Sequence, residues 1–108
     1  MAQAKWTPSA ETDLEEIVFY IAVKDRRRET AKKIYGEIED KCALYAVNPE
    51  MGLNRSDLCT APEDTFRSFT HKRWVIIYEP RDFGIEVFAV LDGSRRYESY
   101  FRRPSGDE

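Results

Sequence analysis

The sequence predicts an α+β fold in which an N-terminal helical hairpin packs on a small antiparallel β-sheet. Apolar residues recur every three or four positions as far as about residue 47, which is typical of amphipathic helices. From about residue 65 the chain is rich in β-branched and aromatic residues, which favour strands. Because only short turns separate the predicted strands, we expect an antiparallel meander. A length of 108 residues predicts one domain over residues 1–108.

The first half of the chain predicts two helices, after a short edge strand at residues 3–6. Thr7 suits the cap of the first helix and Pro8 suits its first position, where a missing N–H costs nothing. The apolar face of this helix contains Leu14, Ile17, Val18 and Ile21. A polar turn at residues 24–28 precedes the second helix. Its apolar residues are Ala31, Ile34, Tyr35, Ile38, Cys42 and Tyr45. Asn48-Pro49 ends it, because the residue before proline avoids helical backbone.

The second half predicts a loop followed by three strands. The loop spans residues 48–64, and we expect Leu53 and Leu58 to hold it against the core. The strands are predicted at residues 65–71, 73–78 and 85–91, with a turn at residues 80–84. The second of these strands is nearly all apolar, so we expect it at the centre of the sheet.

Composition excludes several classes of protein. The chain is 42% hydrophobic and 34% charged, which is too apolar for a disordered protein and too polar for a membrane protein. Cys42 and Cys59 are too few for a disulfide framework or a zinc site. We therefore expect a cytoplasmic protein with reduced thiols. The net charge of −3 means that any nucleic-acid role would rest on a local basic patch.

Basic residues of the predicted sheet are candidates for phosphate chemistry. His71, the only histidine, has the chemistry of a general acid or base, although an exposed hairpin residue is the alternative. Strand alternation places Arg67 and His71 on one face with Phe69 between them, which suits either RNA bases or a protein interface. The residues that would hold phosphates, or else form a solvated rim, are Arg67, Lys72, Arg73, Arg81, Arg95 and Arg96.

The C-terminal segment combines arginine with aromatic residues, the types that dominate interface hot spots. Two interpretations stay open, a partner-binding tail or a packed C-terminal turn with solvated arginines. The residues concerned are Arg95, Arg96, Tyr97, Tyr100, Phe101, Arg102 and Arg103.

The order of several short motifs resembles the RelE/ParE superfamily, the toxins of type II toxin–antitoxin modules. The resemblance covers roughly residues 5–101. Its motifs are Trp6-Thr7-Pro8-Ser9-Ala10, Asp13-Leu14-Glu15-Glu16-Ile17, Asn48-Pro49-Glu50-Met51-Gly52, Arg67-Ser68-Phe69, Trp74-Val75-Ile76-Ile77-Tyr78-Glu79-Pro80, Gly84-Ile85-Glu86-Val87 and Val90-Leu91-Asp92-Gly93-Ser94-Arg95-Arg96. The family fold, a helical hairpin on an antiparallel sheet, agrees with the prediction made from the residues.

The resemblance implies two different activities. RelE-like members cleave mRNA in the ribosome with basic residues, whereas ParE-like members share only the fold and poison DNA gyrase by trapping its cleaved-DNA complex. This sequence departs from the commoner pattern at three positions. It has Glu79 after Tyr78 in place of arginine, Asp92 before Gly93 in place of histidine, and Val75 where ribonuclease members tend to place an arginine.

These departures favour a ParE-like plasmid stabilisation toxin that acts as a gyrase inhibitor and uses no cofactor. The residues expected to contact the target are Arg95, Arg96, Tyr97, Tyr100 and Phe101. The alternative is a RelE-like ribosome-dependent endoribonuclease acting on mRNA. Its catalytic residues would be Arg67, His71, Arg73 and Arg95, assisted by Lys72. A third hypothesis is a decayed member that binds an antitoxin without toxic action.

All three hypotheses imply a cognate antitoxin, whose disordered C-terminal segment folds on the toxin. Toxin and antitoxin would form a heterotetramer or another assembly, and no membrane is involved. We expect exposed aromatic residues of the sheet and the first helix to bind the antitoxin, with ordinary core positions as the alternative for each. The candidates are Phe19, Tyr20, Trp74 and Phe88.

Overall fold

A computed structural model describes residues 1–93 and places two helices against one face of a five-stranded sheet. The helices are α1 (Pro8–Phe19) and α2 (Arg28–Val47). The strands are β1 (Gln3–Trp6), β2 (Leu53–Asn54), β3 (Arg67–His71), β4 (Trp74–Arg81) and β5 (Gly84–Asp92). The α+β class and the helical hairpin are therefore confirmed.

The helical hairpin begins and ends at the predicted signals. The Thr7 hydroxyl accepts a hydrogen bond from the Ala10 N–H at 3.1 Å, which caps α1. A π-helical turn, Tyr20–Lys24, continues α1. Arg26 then adopts the left-handed backbone conformation, with φ of 56°, as the chain reverses. Of the helices in residues 1–93, none is long and apolar enough to cross a membrane.

The sheet is mixed rather than wholly antiparallel, in the order β1-β5-β4-β3-β2. The predicted meander of β3, β4 and β5 is confirmed, but β1 pairs in parallel with β5 from Gln3↔Gly84 to Trp6↔Val87. The prediction of a purely antiparallel sheet is wrong at this strand. The reason is topological, because the helical hairpin carries the chain across the sheet after β1 and no tight turn reverses it.

The turn predicted at residues 80–84 is shorter in the structure. Pro80 and Arg81 belong to β4 and pair with Ile85 and Gly84. Strand β3 pairs with β4 only as far as Tyr78, so one edge of β4 is unpaired beyond it and a proline is tolerated there. An irregularity between Ile77 and Tyr78 shifts the register by one residue of β5.

The core has a larger part beneath the helices and a smaller part on the opposite face. Ile38, Ile76 and Val87 are fully buried between helices and sheet. On the other face Leu58 covers Ile77 and Ala89. The expectation that Leu58 holds the loop against the core is therefore confirmed. It is wrong for Leu53, which is 67% exposed on the short edge strand β2.

Candidate functional site

Arg67 holds a turn of the chain against the sheet. Its Nη1 atom donates to the carbonyl oxygens of Glu50 at 3.1 Å and Gly52 at 2.7 Å. Both acceptors lie in the turn that follows α2, opposite the first residue of β3. The guanidinium that the ribonuclease hypothesis assigns to phosphate is therefore engaged with backbone carbonyls in this structure.

The same turn is held by Tyr78, a residue that the sequence analysis did not single out for a role. The Tyr78 hydroxyl donates to the Pro49 carbonyl oxygen at 2.7 Å and accepts from the Gly52 N–H at 3.0 Å. Burial raises the pKa of this phenol, so it stays protonated and able to donate. The signal in the sequence was a polar atom at the centre of an apolar strand, which requires a partner.

His71 is bound to the second helix. Its Nε2 atom lies 2.7 Å from Oε1 of Glu37 on α2, and only 13% of the His71 side chain is exposed. This hydrogen bond is the main cause that lowers the pKa of Glu37. His71 is thus neither a free acid–base group nor the exposed hairpin residue of the alternative interpretation.

The basic candidates on β3 do not converge on one point. Arg67 and His71 lie on one face of β3, as predicted, and this face is turned toward the helices. They are four positions apart, which is about 13 Å along a strand. Phe69 between them stacks on Tyr45 with ring centroids 4.1 Å apart, and only 6% of its surface is exposed. The distance between Arg67 and His71 is too long for both to act on one phosphodiester. The buried Phe69 ring is not available to stack with a base.

Arg73 is the described catalytic candidate with the most accessible side chain, 67% exposed, and its Nη2 atom lies 2.6 Å from Oδ2 of Asp92. The carboxylate of Asp92 therefore faces an arginine at the position where the resemblance led us to expect histidine. Glu79 stands where the commoner pattern of the RelE/ParE superfamily has an arginine. It is buried, and its carboxylate pairs with Arg81 at 2.9 Å. Both acidic residues neutralise cations of the sheet.

The predicted target-binding residues, and one residue of the catalytic set, lie outside the described residues. They are Arg95, Arg96, Tyr97, Tyr100 and Phe101.

The four antitoxin candidates occupy different environments. Phe19 is 62% exposed and Tyr20 is 57% exposed, as expected of docking residues. Trp74 is only 9% exposed, so the expectation of an exposed aromatic is wrong at this position, because its ring packs in the core beneath the helices. Phe88 is half-buried and makes an edge-to-face contact with Phe66, at a centroid distance of 5.3 Å.

An open groove runs between α1 and the adjoining ends of β4 and β5. Tyr20 and Trp74 both line it, together with Asp13 and Ile17. Asp13 accepts a hydrogen bond from the Val90 N–H at 3.1 Å, and burial raises the pKa of its carboxyl. Val23, 54% exposed, follows Phe19 by four residues and was missed by the sequence analysis. Its spacing from Phe19 was the signal that could have found it.

Neither cysteine has the character of a reactive thiol. Cys42 is buried in α2, and burial raises the pKa of its thiol to about 12. Cys59 donates a weak hydrogen bond to the Arg55 carbonyl oxygen. Within residues 1–93, no group of three or more His, Cys, Asp or Glu side chains could hold a metal ion.

Comparison with known proteins gives one family and one fold. Residues 4–97 match the model of the ParE toxin of the type II toxin–antitoxin system parDE. No curated protein matches the chain. A solved structure of the chromosomal ParDE toxin–antitoxin system from P. aeruginosa is similar, with a TM-score of 0.60 and 21% identity over 85% of this chain and 96% of that one.

The family match spans most of the chain, from β1 to beyond the end of β5. The similar structure shows the same fold of a helical hairpin on a sheet. We conclude that the chain belongs to the ParE toxin family of type II toxin–antitoxin systems.

Proposed function

We propose that the protein is a ParE-like toxin that binds DNA gyrase, traps its cleaved-DNA complex and is neutralised by a cognate antitoxin. The match of residues 4–97 to the ParE family is the observation that carries the proposal. Such a toxin acts in the cytoplasm, where gyrase works, and with its antitoxin it stabilises the plasmid or chromosomal region that encodes both.

The arrangement of the basic residues supports gyrase poisoning over mRNA cleavage. Arg67 is bound to two backbone carbonyls and His71 to a carboxylate, so neither is free to act on a phosphodiester. Half-buried Val75 stands where ribonuclease members tend to place an arginine. A ribonuclease would therefore have to break several internal contacts before its catalytic residues could meet.

The first experiment titrates the purified protein into gyrase, ATP and supercoiled plasmid. Cleaved DNA is trapped with detergent and protease, and linear product is scored. We expect linear DNA to accumulate with dose. Absence of linear DNA, with a folded protein that still poisons cells, would contradict the proposal and favour the RelE-like alternative. That alternative predicts mRNA cleavage on ribosomes, lost in Arg73→Ala.

The C-terminal residues are the proposed contacts with gyrase. Arg95→Ala and Tyr97→Ala are expected to reduce linear DNA tenfold or more, as truncation of interface hot spots does. Arg26→Ala is the matched control, because it removes one exposed positive charge from the turn between the helices. If all three variants behave alike, the C-terminal segment is not the gyrase contact, although the toxin itself could still poison gyrase.

We propose that the antitoxin binds at the end of α1, on Phe19, Tyr20 and the groove beside them. Tyr20→Ala is expected to weaken antitoxin binding tenfold or more, because an exposed ring in an apolar cluster is a typical anchor. Tyr35→Ala is the matched control, since this tyrosine of α2 is 40% exposed. Calorimetry with purified antitoxin measures the affinity of each of the two variants. Equal affinities for the two variants would place the antitoxin elsewhere.

A further inference from the structure

Asp13 lines the groove between α1 and the ends of β4 and β5. Its side chain is half-buried, and its Oδ2 atom accepts a hydrogen bond from the Val90 N–H of β5 at 3.1 Å. Among residues 1–93, no hydrogen bond or ion pair involves its other carboxylate oxygen, Oδ1. The groove wall therefore includes a carboxylate with an acceptor oxygen that this part of the chain does not use.

The groove has charges of both signs, but its cations do not compensate Asp13. The acidic residues that line it are Asp13, Glu16, Asp25 and Asp92. The basic residues that line it are Arg27, Lys72 and Arg73. Burial is the main cause that raises the pKa of Asp13, and the charge of Glu16, which has the same sign, raises it further. Arg73 is already paired with Asp92 at 2.6 Å. An ionised Asp13 thus has no counterion within residues 1–93.

The hydrogen bond from β5 does not require a charge at position 13. The carbonyl oxygen of an asparagine side chain would accept from the Val90 N–H in the same way. Because burial disfavours the ionised form of Asp13, its negative charge does not stabilise the isolated fold. A role for this charge is therefore to be sought in a bound partner.

A segment that covers the groove would remove the remaining water from Asp13. An ionised carboxylate that loses water without gaining a partner is unfavourable, so a wholly apolar segment would bind poorly at this point. A lysine or arginine side chain would supply both the counterion and the hydrogen-bond donors. Exposed Tyr20 follows Asp13 by seven residues, or about 10 Å along the helix, and lines the same groove. An apolar residue of the same segment would contact its ring.

We infer that Asp13 binds a lysine or arginine side chain of the antitoxin. The inference rests on the proposed function, because it takes the groove beside α1 as the antitoxin site, and it adds the chemistry of the contact. The cation and the residue that contacts Tyr20 would lie about 10 Å apart. In an extended antitoxin segment this distance corresponds to about three residues.

The main variant is Asp13→Asn, which removes the charge and keeps an acceptor for the Val90 N–H. Calorimetry with the purified cognate antitoxin measures its affinity at several salt concentrations. We expect binding weaker by about tenfold or more, and an affinity that depends less on salt than that of the unchanged protein. The unfolding free energy should not fall, because the charge removed is one that burial disfavours. Lost binding through misfolding is thereby excluded.

Glu15→Gln is the matched control. It makes the same change in net charge at an exposed position of the same helix. Glu15 is directed toward α2, since its charge contributes to the raised pKa of Tyr35. We expect this variant to bind the antitoxin like the unchanged protein. An equal loss in Asp13→Asn and Glu15→Gln would reduce the effect to net charge and overturn the inference.

A double-mutant cycle identifies the cation of the antitoxin. Each lysine and arginine of the antitoxin is replaced by glutamine in turn, and its binding is measured with the unchanged toxin and with Asp13→Asn. We expect one of these substitutions to lose most of its effect in the Asp13→Asn toxin, because its partner is already absent. Substitutions whose effects are the same in both toxins throughout would overturn the inference.

The failure of this inference is distinguishable from the failure of the proposed antitoxin site. If Tyr20→Ala weakens antitoxin binding and Asp13→Asn does not, the antitoxin occupies the groove without a cation at Asp13. If neither variant binds more weakly, the antitoxin lies elsewhere and both proposals are wrong. Coupling between Asp13→Asn and Arg95→Gln in the stability of the toxin alone would assign the cation to this chain, which also overturns the inference.

Discussion

Tyr78 joins the centre of the sheet to the turn after α2 through one hydroxyl group. Its two partners, the Pro49 carbonyl and the Gly52 N–H, are backbone groups that need a hydrogen bond where they are buried. We predict that Tyr78→Phe lowers the free energy of unfolding by about 1–3 kcal/mol, because it leaves both groups unpaired. Urea denaturation measures the change. A loss below about 0.5 kcal/mol would show that water replaces the hydroxyl.

Gly52 is required because the Tyr78 ring leaves no room for a side chain. A Cβ atom at position 52 would overlap the Tyr78 hydroxyl and lie 2.9 Å from Cε2 of the same ring. Gly52→Ala is therefore expected to destabilise the protein by about 1–3 kcal/mol. Gly36→Ala is the control, since nothing lies within 4 Å of a Cβ there and α2 gains helix propensity.

The two changes at this site are expected to be non-additive. Tyr78→Phe removes the hydroxyl that a Cβ at position 52 would meet first. Gly52→Ala should therefore cost less in the Tyr78→Phe protein than in the unchanged one, by about 0.5 kcal/mol or more in a double-mutant cycle. Strictly additive values would mean that the turn moves away from the ring.

At the scale of elements, the start of α1 depends on one side chain. Thr7 caps α1 by accepting from the Ala10 N–H, and its hydroxyl also lies 3.5 Å from the Phe88 carbonyl oxygen of β5. Thr7→Ala is predicted to lower the unfolding free energy by about 1 kcal/mol, whereas Thr7→Ser, which keeps the hydroxyl, should change it little. Thermal denaturation compares the two. Equal losses would assign the effect to the methyl group rather than the cap.

The contact between α2 and β3 makes stability depend on pH. Hydrogen bonding to His71 lowers the pKa of Glu37 below its usual value of 4.5. A carboxyl whose pKa is lowered by folding stabilises the fold above its unfolded pKa and loses this contribution as pH falls through its folded pKa. The pH dependence of stability that Asp13 contributes has the opposite sign, because burial raises the pKa of its carboxyl.

The corresponding prediction concerns the difference between the unchanged protein and Glu37→Gln. We expect the unchanged protein to be the more stable at about pH 6, and the difference to shrink below pH 4.5. Denaturation at a series of pH values measures it, with Glu39→Gln of the same helix as control. A difference that is constant down to about pH 3 would show that the Glu37 carboxylate does not act through its charge.

The elements that the sequence predicted well are those whose signals are local. Thr7-Pro8, the helical periodicity and Asn48-Pro49 lie next to the features that they determine, and both helices begin and end close to them. The parallel pairing of β1 with β5 joins residues about 80 positions apart, and no local pattern records it. The site was predicted less well. Strand alternation placed Arg67 and His71 on one face. It could not show that Arg67 is bound to two backbone carbonyls and that His71 is bound to Glu37.

At the scale of the whole molecule, exposed large apolar side chains concentrate at the two ends of the helical hairpin. Phe19, Tyr20 and Val23 lie at the end of α1. Leu44 and Val47 lie at the end of α2, which is 20 residues or about 30 Å long. A partner that covers both apolar clusters must be extended, which agrees with an antitoxin segment that folds on the toxin.

The first and last described strands pair with each other at one edge of the sheet, and Gly84 is the residue that permits this pairing. The Gln3 N–H donates to the Phe83 carbonyl oxygen at 2.6 Å, and β1 then follows β5 in parallel. Gly84 has φ of 140°, and a Cβ there would overlap the Gln3 carbonyl oxygen. An alanine would therefore meet both an unfavourable backbone conformation and the neighbouring strand.

We predict that Gly84→Ala lowers the unfolding free energy by at least about 2 kcal/mol and loosens β1 before the rest of the molecule. Hydrogen exchange should show faster exchange at residues 3–6, while the amides of β3 and β4 keep their relative protection. Gln3→Ala is the control, because it alters an exposed side chain and leaves the ladder intact. Unchanged protection of β1 in Gly84→Ala would mean that the strand shifts to accommodate the methyl group, and that the pairing of β1 with β5 tolerates more movement than its backbone geometry implies.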